Sequence, residues 1–438
     1  MACKSGEQLS EKTLELLKME EDYAVGAFGS LPGFMVSGKG STLVDVDGRE
    51  LIDFICMFSA TNLGHCHPKL VKAVTESVQT ITLANMSTHS VQWPLVAKEL
   101  CTRLGFDKIT PMCTGAEAAD TACKIARKWG ITHKGIPAED VLVLGTSENY
   151  HGLTCGVWPI MEPLDQHEYG VFSKNITNIH PGTGKVLRYL HAEDFEAVLS
   201  EYHGRVAGVI MECFHGLAPT FEEELDFAKS VRQICKKYNV LFISDEVRQG
   251  AGKTGKFLSS EWMGPENKPD MVTMGKSISG GAYPASFVLG SNEVMTLVKP
   301  YQSASTFAMA PQANAAVLAT LEVIDEEKLI ERALYLEAKW KETTATWSIP
   351  FVRYYTSRGG DMNLVIDESF KGVSARRIAR LAYQKGALMY SQPGRVRLGV
   401  ALTITDEEFE KGMAILKETL EEVQDYASIP GSSHKAEM

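Results

Sequence analysis

Two hydrophobic runs in the sequence end in side chains that could take part in one reaction. Residues 240–247 read Val-Leu-Phe-Ile-Ser-Asp-Glu-Val, a buried type of strand that ends in the carboxylates Asp245 and Glu246. Further along, residues 271–276 read Met-Val-Thr-Met-Gly-Lys, so that Lys276 follows a second strand of the same kind. In open α/β sheets, ligands bind at the carboxyl ends of the strands, and we therefore expect Asp245 and Lys276 in one site.

A lysine beside a carboxylate is the arrangement that a Schiff-base enzyme needs. The small neighbours Gly275 and Ser277 predict partial desolvation of Lys276, which lowers the pKa of an amine and makes it a nucleophile. A carboxylate such as Asp245 keeps a pyridine nitrogen protonated, and this lets pyridoxal 5′-phosphate (PLP) accept electrons. Each residue alone also has an ordinary explanation, because strands often end in Asp-Glu and most loop lysines are simply solvated.

A third segment predicts a seat for a phosphate group. Residues 112–117 read Met-Cys-Thr-Gly-Ala-Glu and come directly before a predicted helix. The backbone N–H groups of Thr114, Gly115 and Ala116 are then expected at the N-terminus of that helix, where anions bind. The alternative is that Thr114 acts only as the N-cap, and both roles are compatible. Taken together, the three segments predict a PLP enzyme whose catalytic residues are the lysine and the aspartate named above.

The elements that must position these residues are typical of an α/β protein. Apolar runs bounded by polar turns indicate strands that are buried on both faces. Such runs occur at residues 141–144, 206–211, 240–244 and 271–274, and helical patterns such as 117–129 and 221–238 lie between them. Strands that alternate with helices favour a mainly parallel sheet flanked by helices.

Two domains are predicted. Residues 61–311 are expected to form a large PLP-binding α/β domain. The remainder, 1–60 and 312–438, is expected to form a smaller α+β domain, because helices and a few strands are interleaved there. Its predicted elements are a hairpin-like stretch at 42–54, a helix at 312–342, a strand pair at 349–366, and helices at 375–385 and 406–426.

Composition and charge exclude several classes of protein. The chain has 438 residues and a net charge of −11, and its basic residues are scattered, so a nucleic-acid partner is not expected. No run approaches the roughly 20 apolar residues of a membrane span, and residues 1–18 lack the apolar run of a secretory signal. Nine cysteines without a Cys-x-x-Cys pair indicate reduced thiols in a cytoplasmic enzyme. His65-Cys66-His67 lacks the spacing of a zinc site, so no metal is predicted.

Several further stretches have the form of motifs. They are Asn62-Leu-Gly-His-Cys-His-Pro68, Cys113-Thr-Gly-Ala-Glu117, Thr121-Ala-Cys-Lys-Ile-Ala-Arg-Lys-Trp-Gly130, Asp245-Glu246, Gly275-Lys276 and Gly280-Gly-Ala-Tyr-Pro284. With them the chain resembles the class III aminotransferases of the fold-type I PLP family, and among these the ornithine aminotransferases, over roughly residues 25–425. The resemblance implies a homodimer with active sites at the subunit interface and a small-molecule amino acid as substrate.

The same resemblance assigns residues around the cofactor. It implies that Tyr150 stacks on the ring and that Glu212 orients groups near Asp245. It also implies that Ser305 and Thr306 reach the phosphate of the neighbouring subunit. The predicted cofactor-binding residues are therefore Thr114, Gly115, Ala116, Tyr150, Glu212, Asp245, Val247, Lys276, Ser305 and Thr306.

The chain departs from the family pattern at positions that concern the substrate. Leu217 stands where the family has a glutamate that pairs with a substrate-binding arginine. The arginine remains as Arg397, which is expected either to hold an α-carboxylate or to form an ion pair. Leu153 replaces an arginine that is expected after the aromatic-x-Gly motif, and the tyrosine expected around residues 26–29 is missing. Ornithine is therefore a doubtful substrate.

Arg248 is a further departure. It replaces a glutamine that donates a hydrogen bond to the phenolic oxygen of the cofactor, and an arginine there would favour the phenolate. The alternative is that Arg248 points away and that Gln249 takes this role. The predicted substrate-binding residues are Leu153, Leu217, Arg248 and Arg397.

Three functions are compatible with these residues. The first is an aminotransferase with an altered substrate range. The second is a PLP enzyme on the same scaffold that catalyses γ-elimination or replacement, carbon–carbon bond formation or racemisation. The third, an inactive relative that only binds, is disfavoured because Lys276 and Asp245 are both present. The fold alone does not separate the first two.

Overall fold

The computed structural model describes residues 4–26, 31–161, 170 and 173–430. The chain forms two units, a larger one of Pro68–Ile330 and a smaller one of Met1–His67 with Glu331–Met438. The predicted boundaries, after residues 60 and 311, differ from these. Residues 61–67 belong to the smaller unit and residues 312–330 to the larger unit.

The strands are named in chain order. They are β1 Lys4–Ser5, β2 Met35–Lys39, β3 Thr42–Asp45, β4 Glu50–Asp53, β5 Lys108–Met112, β6 Leu142–Leu144, β7 Ile176–Thr177, β8 Val206–Met211, β9 Leu241–Asp245, β10 Met271–Met274, β11 Ser286–Gly290, β12 Val352–Arg358, β13 Asp361–Ile366, β14 Ala387–Leu388, β15 Tyr390–Gln392, β16 Arg395–Gly399 and β17 Tyr426–Ser428.

The α-helices are named in the same way. They are α1 Glu11–Tyr23, α2 Pro68–Thr80, α3 Trp93–Leu104, α4 Gly115–His133, α5 Ala192–Tyr202, α6 Phe221–Lys237, α7 Asn292–Met295, α8 Pro311–Glu326, α9 Leu329–Thr344, α10 Ala375–Lys385 and α11 Asp406–Glu422. Within the ranges that the structure describes, no helix has the length and apolar character needed to cross a lipid bilayer.

The larger unit is built on a seven-stranded sheet with the order β5-β11-β10-β9-β8-β6-β7. β11 runs antiparallel to its neighbours β5 and β10, whereas the pairs from β10 to β7 are parallel. Alternate residues of the central strands face two apolar clusters: Val209 packs with side chains of α5 and α6, and Ile210 packs with side chains of α4. Burial on both faces explains why these strands are continuous apolar runs. The predicted α/β fold with a mainly parallel sheet is confirmed.

Helix α8 accounts for the shift of the second boundary. It begins with Pro311 in its first turn, where a proline is tolerated, and most of its side chains are buried. Gln312 Nε2 donates hydrogen bonds of 3.0 Å to the carbonyl oxygens of Ile81 and Thr82. These contacts attach the helix to the larger unit.

The long helix predicted at 312–342 is interrupted. α8 ends at Glu326, and α9 begins at Leu329. Between them, Lys328 has a φ of 52°, which is a left-handed conformation that an α-helix cannot contain. Two helices therefore take the place of the single predicted one.

The smaller unit contains two four-stranded sheets, β12-β13-β16-β15 and β14-β4-β3-β2. The first sheet is antiparallel throughout, and its strand β16 carries Arg397. α10 begins where Ser374 Oγ accepts the N–H of Arg377, and α11 begins with a capping box of Thr405 and Glu408. This unit therefore has an α+β arrangement.

Candidate active site

The pairing of β9 with β10 brings two chemically active side chains to one edge of the sheet. The strands are parallel, with Thr273 opposite Asp245, and Asp245 is the last residue of β9. The N–H of Glu246 donates to the carbonyl of Thr273 at 2.8 Å, which extends the pairing past the end of the strand. Lys276 begins the short 3₁₀ turn that follows β10, and its side chain is partly buried. The two predicted catalytic residues thus lie at the same sheet edge.

The backbone of Lys276 is strained. Its φ is 48°, in the left-handed region that residues with a side chain seldom adopt. A conformation of this kind costs on the order of 1–3 kcal/mol and persists only where the surroundings fix it. Ser279 helps to fix it, because its hydroxyl donates to the carbonyl of Tyr283 at 2.5 Å and lies 3.3 Å from the carbonyl of Lys276.

Asp245 is buried, and both of its carboxylate oxygens have partners. Oδ1 accepts the N–H of Val247 at 3.0 Å, and Oδ2 lies 2.6 Å from Nδ1 of His151. Only 2% of Asp245 is exposed, so these bonds fix the direction in which its charge points. A buried carboxylate at this edge suits a cationic ring nitrogen.

His151 is a site residue that the sequence analysis did not assign. Its side chain is fully buried beside Asp245. Nδ1 donates to the carboxylate if that group is ionised, which sets the tautomer of the ring. The sequence signal that could have identified His151 as a site residue is its position next to Tyr150. Nothing in the sequence indicated that it would contact Asp245.

The phosphate seat is predicted at the N-terminus of α4, and the structure shows which N–H groups are occupied there. Thr114 Oγ1 accepts the N–H of Glu117 at 3.2 Å, and Glu117 Oε2 in turn accepts the N–H groups of Thr114 at 2.8 Å and Cys113 at 3.0 Å. This capping box occupies the N–H of Thr114, so that group is not available to a phosphate. Among the described residues, no acceptor is recorded for the N–H groups of Gly115 and Ala116, which are the first of the helix.

Val247 packs closely against the N-terminus of α4 and against the turn that carries Lys276. A Cβ added to Gly115 would lie 2.6 Å from Cγ1 of Val247, and one added to Gly275 would lie 3.3 Å from the same atom. On the other side, a Cβ on Gly152, which has a φ of 111°, would lie 2.4 Å from Cβ of Ala116. The helix N-terminus, the lysine turn and the Tyr150-His151-Gly152 loop therefore converge here.

The loop that carries Tyr150 is fixed at several points. The N–H of Tyr150 donates to Glu212 Oε2 at 3.2 Å, and Asn149 Oδ1 accepts the N–H of Glu212 at 2.7 Å. Further along, the hydroxyl of Thr154 donates to Asp120 Oδ2 on α4 at 2.6 Å. Tyr150 itself is 51% exposed, so much of its side chain faces open space at this edge.

Arg248 points toward Glu212. Its Nε lies 3.0 Å from Glu212 Oε1, and its Nη2 donates to the carbonyl of Phe214 at 2.9 Å. Gln249 Nε2 donates to the same carbonyl at 3.2 Å. These contacts direct the guanidinium to the protein's own carboxylate, and the substrate-binding role of Arg248 stays a prediction.

Leu217 and Leu153 provide apolar surface in the larger unit. Leu217 is half-buried against the apolar cluster of β8 and α6, whereas Leu153 is exposed. The N–H of Leu217 donates to Glu224 Oε1 at 2.8 Å. Burial raises the pKa of Glu224 above its ordinary value, although the N–H groups that face it favour the carboxylate.

Ser305 and Thr306 lie in the larger unit. Ser305 Oγ is 3.2 Å from Sγ of Cys113, the residue before the N-cap of α4, and Thr306 is exposed. The hydroxyl of Ser303 lies 3.4 Å from that of Thr121, so this segment runs along α4. The role of Ser305 and Thr306 at a neighbour's phosphate stays a prediction.

Arg397 belongs to the smaller unit. Its side chain is only 12% exposed, and its Nε lies 3.5 Å from Oδ1 of Asp361. This long contact joins the paired strands β13 and β16, and because both side chains are largely buried it is not a surface ion pair. Residues 26–29, where the sequence lacks the tyrosine that the family pattern has, lie largely outside the described residues.

The groups at the sheet edge fit PLP. Two N–H groups at a helix N-terminus suit its phosphate, a buried carboxylate suits its ring nitrogen, and an amine on a strained turn suits its aldehyde. The absence of a side chain at Gly115 allows Val247 to pack closely against that N-terminus. Among the described residues, no group of three or more His, Cys, Asp and Glu side chains could hold a metal ion. Fold and site together define a PLP-dependent enzyme of the α/β type.

Comparison with known proteins gives the family. The model of the class III aminotransferases matches residues 26–420. The ornithine aminotransferase of Schizosaccharomyces pombe is 36% identical over 414 residues, which cover 94% of each protein, and that of Saccharomyces cerevisiae is 34% identical over 94% of this chain and all of its own. The crystal structure of the ornithine aminotransferase from Toxoplasma gondii superposes with a TM-score of 0.85 at 27% identity, covering 95% of this chain and 96% of that one. The chain therefore belongs to the class III aminotransferase family, and it is a PLP-dependent enzyme of amino-group transfer.

The contact between His151 and Asp245 leads to a prediction about the retention of PLP. Replacing His151 with Ala removes a hydrogen bond to a charged group, and we expect the Kd for PLP to rise about tenfold, or ~1.4 kcal/mol. The measurement is a titration of the apoprotein with PLP, followed by absorbance. His203→Ala, at an exposed histidine, is the control and should bind as the wild type does. An unchanged Kd in the His151→Ala protein would contradict the assigned role.

Proposed function

We propose that this aminotransferase accepts the amino group of an α-amino acid and that its substrate range differs from that of the ornithine aminotransferases it resembles. The observation that carries the proposal is the apolar character of the substrate positions in the larger unit. Leu217 is half-buried in a loop that its own backbone contacts hold in place, and Leu153 is exposed beside the Tyr150 loop. Neither side chain can bind a second charged group of a diamine-type substrate.

The residues at the sheet edge divide the work of the reaction. Bound PLP withdraws electrons from the α-carbon of an amino acid that is joined to it. Lys276 Nζ would hold the cofactor, and its free amine would move the proton that the α-carbon loses to the former aldehyde carbon of the cofactor, so that the amino group stays there and the keto acid leaves. Asp245 keeps the ring nitrogen protonated, and His151 orients that carboxylate. The N–H groups of Gly115 and Ala116 would hold the phosphate, and Tyr150 would cover one face of the ring.

The proposed carboxylate-binding residue is Arg397. Family resemblance supports this role, because a planar guanidinium binds a carboxylate bidentately. Its side chain is only 12% exposed and lies 3.5 Å from the carboxylate of Asp361 in its own unit. The alternative function is that of an ornithine aminotransferase, which is the name that the relatives carry.

We also propose a homodimer in the cytoplasm. Apolar side chains are exposed on and between α2 and α3, and exposed apolar patches often mark subunit interfaces. They are Val71, Val78, Ile81, Val91 and Leu95. The dispersed cysteines support a reducing compartment, since the described ones are all free thiols.

The amino donor can be identified in a single turnover. PLP-loaded enzyme is mixed with one L-amino acid at a time, without a keto acid. We expect a subset of α-amino acids to convert the cofactor to its amine form with release of one equivalent of keto acid, and L-ornithine to react poorly. Lys276→Ala is the control and should lack the absorbance band of the lysine-linked cofactor. A spectrum that returns to its start without keto acid would contradict amino transfer, and rapid reaction of L-ornithine would contradict the altered range.

The substrate positions can be tested by restoring a charge. Leu217→Glu places a carboxylate where the family has one, and we expect the KM for the best donor to rise about tenfold, or ~1.4 kcal/mol, because that carboxylate competes with the substrate's. Arg397→Lys should also raise KM, because lysine cannot bind bidentately. Leu217→Met keeps the apolar character and should behave as the wild type. A normal KM in the Leu217→Glu enzyme would argue against this assignment.

The dimer can be tested by complementation. Light scattering should give twice the 48.1 kDa mass of the chain. If Ser305 and Thr306 serve the neighbour's phosphate, mixing a Lys276→Ala chain with a Ser305→Ala/Thr306→Val chain creates one fully intact site in each mixed dimer. We therefore expect activity to appear on mixing, although each variant alone is inactive or weak. Failure to recover activity in confirmed mixed dimers would place these residues at their own chain's site.

A further inference from the structure

Arg248 and Glu212 form a buried ion pair at the edge of the site. Arg248 is 7% exposed and Glu212 is 2% exposed, and Nε of the arginine lies 3.0 Å from Oε1 of the glutamate. Removing one member of such a pair leaves an uncompensated charge in a medium of low dielectric constant, whereas replacing both members with neutral side chains is often tolerated. The two residues should therefore behave as one unit.

The second oxygen of Glu212 reaches the loop that holds the cofactor-facing residues. Oε2 accepts the N–H of Tyr150 at 3.2 Å and lies 3.0 Å from Nδ1 of His215. His151, the residue after Tyr150, contacts Asp245 at 2.6 Å. Glu212 thus connects Arg248 to the backbone of the Tyr150 loop.

Arg248 also holds the loop of residues 212–220, here called the β8 loop, which follows β8. Its Nη2 donates to the carbonyl of Phe214 at 2.9 Å. Beyond Phe214, the N–H groups of three successive residues converge on the carboxylate of Glu224. These are His215 at 3.3 Å, Gly216 at 3.1 Å and Leu217 at 2.8 Å. The β8 loop is therefore held at Phe214 by Arg248 and at residues 215–217 by Glu224.

We propose that Arg248 is a positioning residue for amino transfer. It holds the charge of Glu212, which fixes the N–H of Tyr150, and it holds the carbonyl of Phe214, which fixes the β8 loop that carries Leu217. It acts through these groups and not by contact with the substrate. The proposal rests on the function proposed above for Tyr150 and Leu217, and it assigns to Arg248 a role other than those considered from the sequence.

The competing role is direct contact of Arg248 with the cofactor. In that case, removing the guanidinium would change cofactor binding and the absorbance maximum whatever the charge at position 212. If Arg248 acts on cofactor binding through Glu212, the damage arises because the buried carboxylate loses its guanidinium partner and keeps only His215 and the N–H of Tyr150. Neutralising position 212 then relieves the loss of PLP affinity. The two roles therefore predict different results for a double variant.

The test is a double-mutant cycle of Arg248→Met, Glu212→Gln and the two together. The first readout is the Kd of the apoprotein for PLP, which requires no substrate. We expect Arg248→Met to raise this Kd at least tenfold, and the double variant to return within threefold of Glu212→Gln alone. Arg248→Lys, which keeps the charge, should retain most of the affinity. If Arg248→Met does not fold, the Kd for PLP is measured with Arg248→Lys instead.

A second readout separates positioning from stability. Arg232 is a matched control, because its guanidinium pairs with Asp270 at 3.0 and 3.1 Å near the opposite ends of the strands, and its side chain is only 12% exposed. Arg232→Met should lower the unfolding midpoint as Arg248→Met does, but leave the Kd for PLP and the KM within twofold of wild type. In Arg248→Lys, we expect KM for the donor to rise more than kcat falls.

Three results would overturn the proposal. Additive effects of the two single substitutions would show that Arg248 and Glu212 act independently. A double variant as impaired as Arg248→Met, with a shifted absorbance maximum, would show direct contact with the cofactor. Equal effects of Arg248→Met and Arg232→Met on the Kd would show a role in stability alone. Failure of the proposed function is separate from all three, since it would be seen as rapid reaction of L-ornithine with the wild-type enzyme.

Discussion

The parallel pairing of β9 with β10 is the constraint on which the site depends. A slip of one residue would turn every side chain of a strand to the opposite face, and Asp245 would no longer stand beside the lysine turn. The register is held by apolar packing on both faces, with Phe242 in one cluster and Ile243 in the other. The positions of two reactive groups are thus set by residues that take no part in the chemistry.

Around this edge, the protein compensates each buried charge locally. Asp245 has His151, Glu212 has Arg248 and His215, and the carboxylate of Glu224 has backbone N–H groups. In a medium of low dielectric constant these contacts are strong, and a missing partner is costly. The same burial acts on neutral groups: it raises the pKa of the Cys213 thiol, which keeps that cysteine protonated and inert.

Local sequence patterns predicted most of the framework and part of the site. The apolar runs located β8, β9 and β10, and the Thr114 segment located the start of α4, because such signals depend on neighbours in the chain. The contact of His151 with Asp245 could not be predicted, since it joins residues 94 positions apart and depends on how two loops meet. For the same reason the sequence left the direction of Arg248 open. The break at Lys328 was missed because a polar helix surface and a polar turn look alike.

The left-handed backbone of Lys276 has a consequence for how this chain can diverge. A glycine at this position would adopt a φ near 48° without the steric penalty that a side chain incurs. The fold therefore does not oppose loss of the amine, and a descendant relieved of catalysis could discard the lysine while keeping or improving its stability. The lysine in this turn therefore serves the reaction and not the requirements of folding.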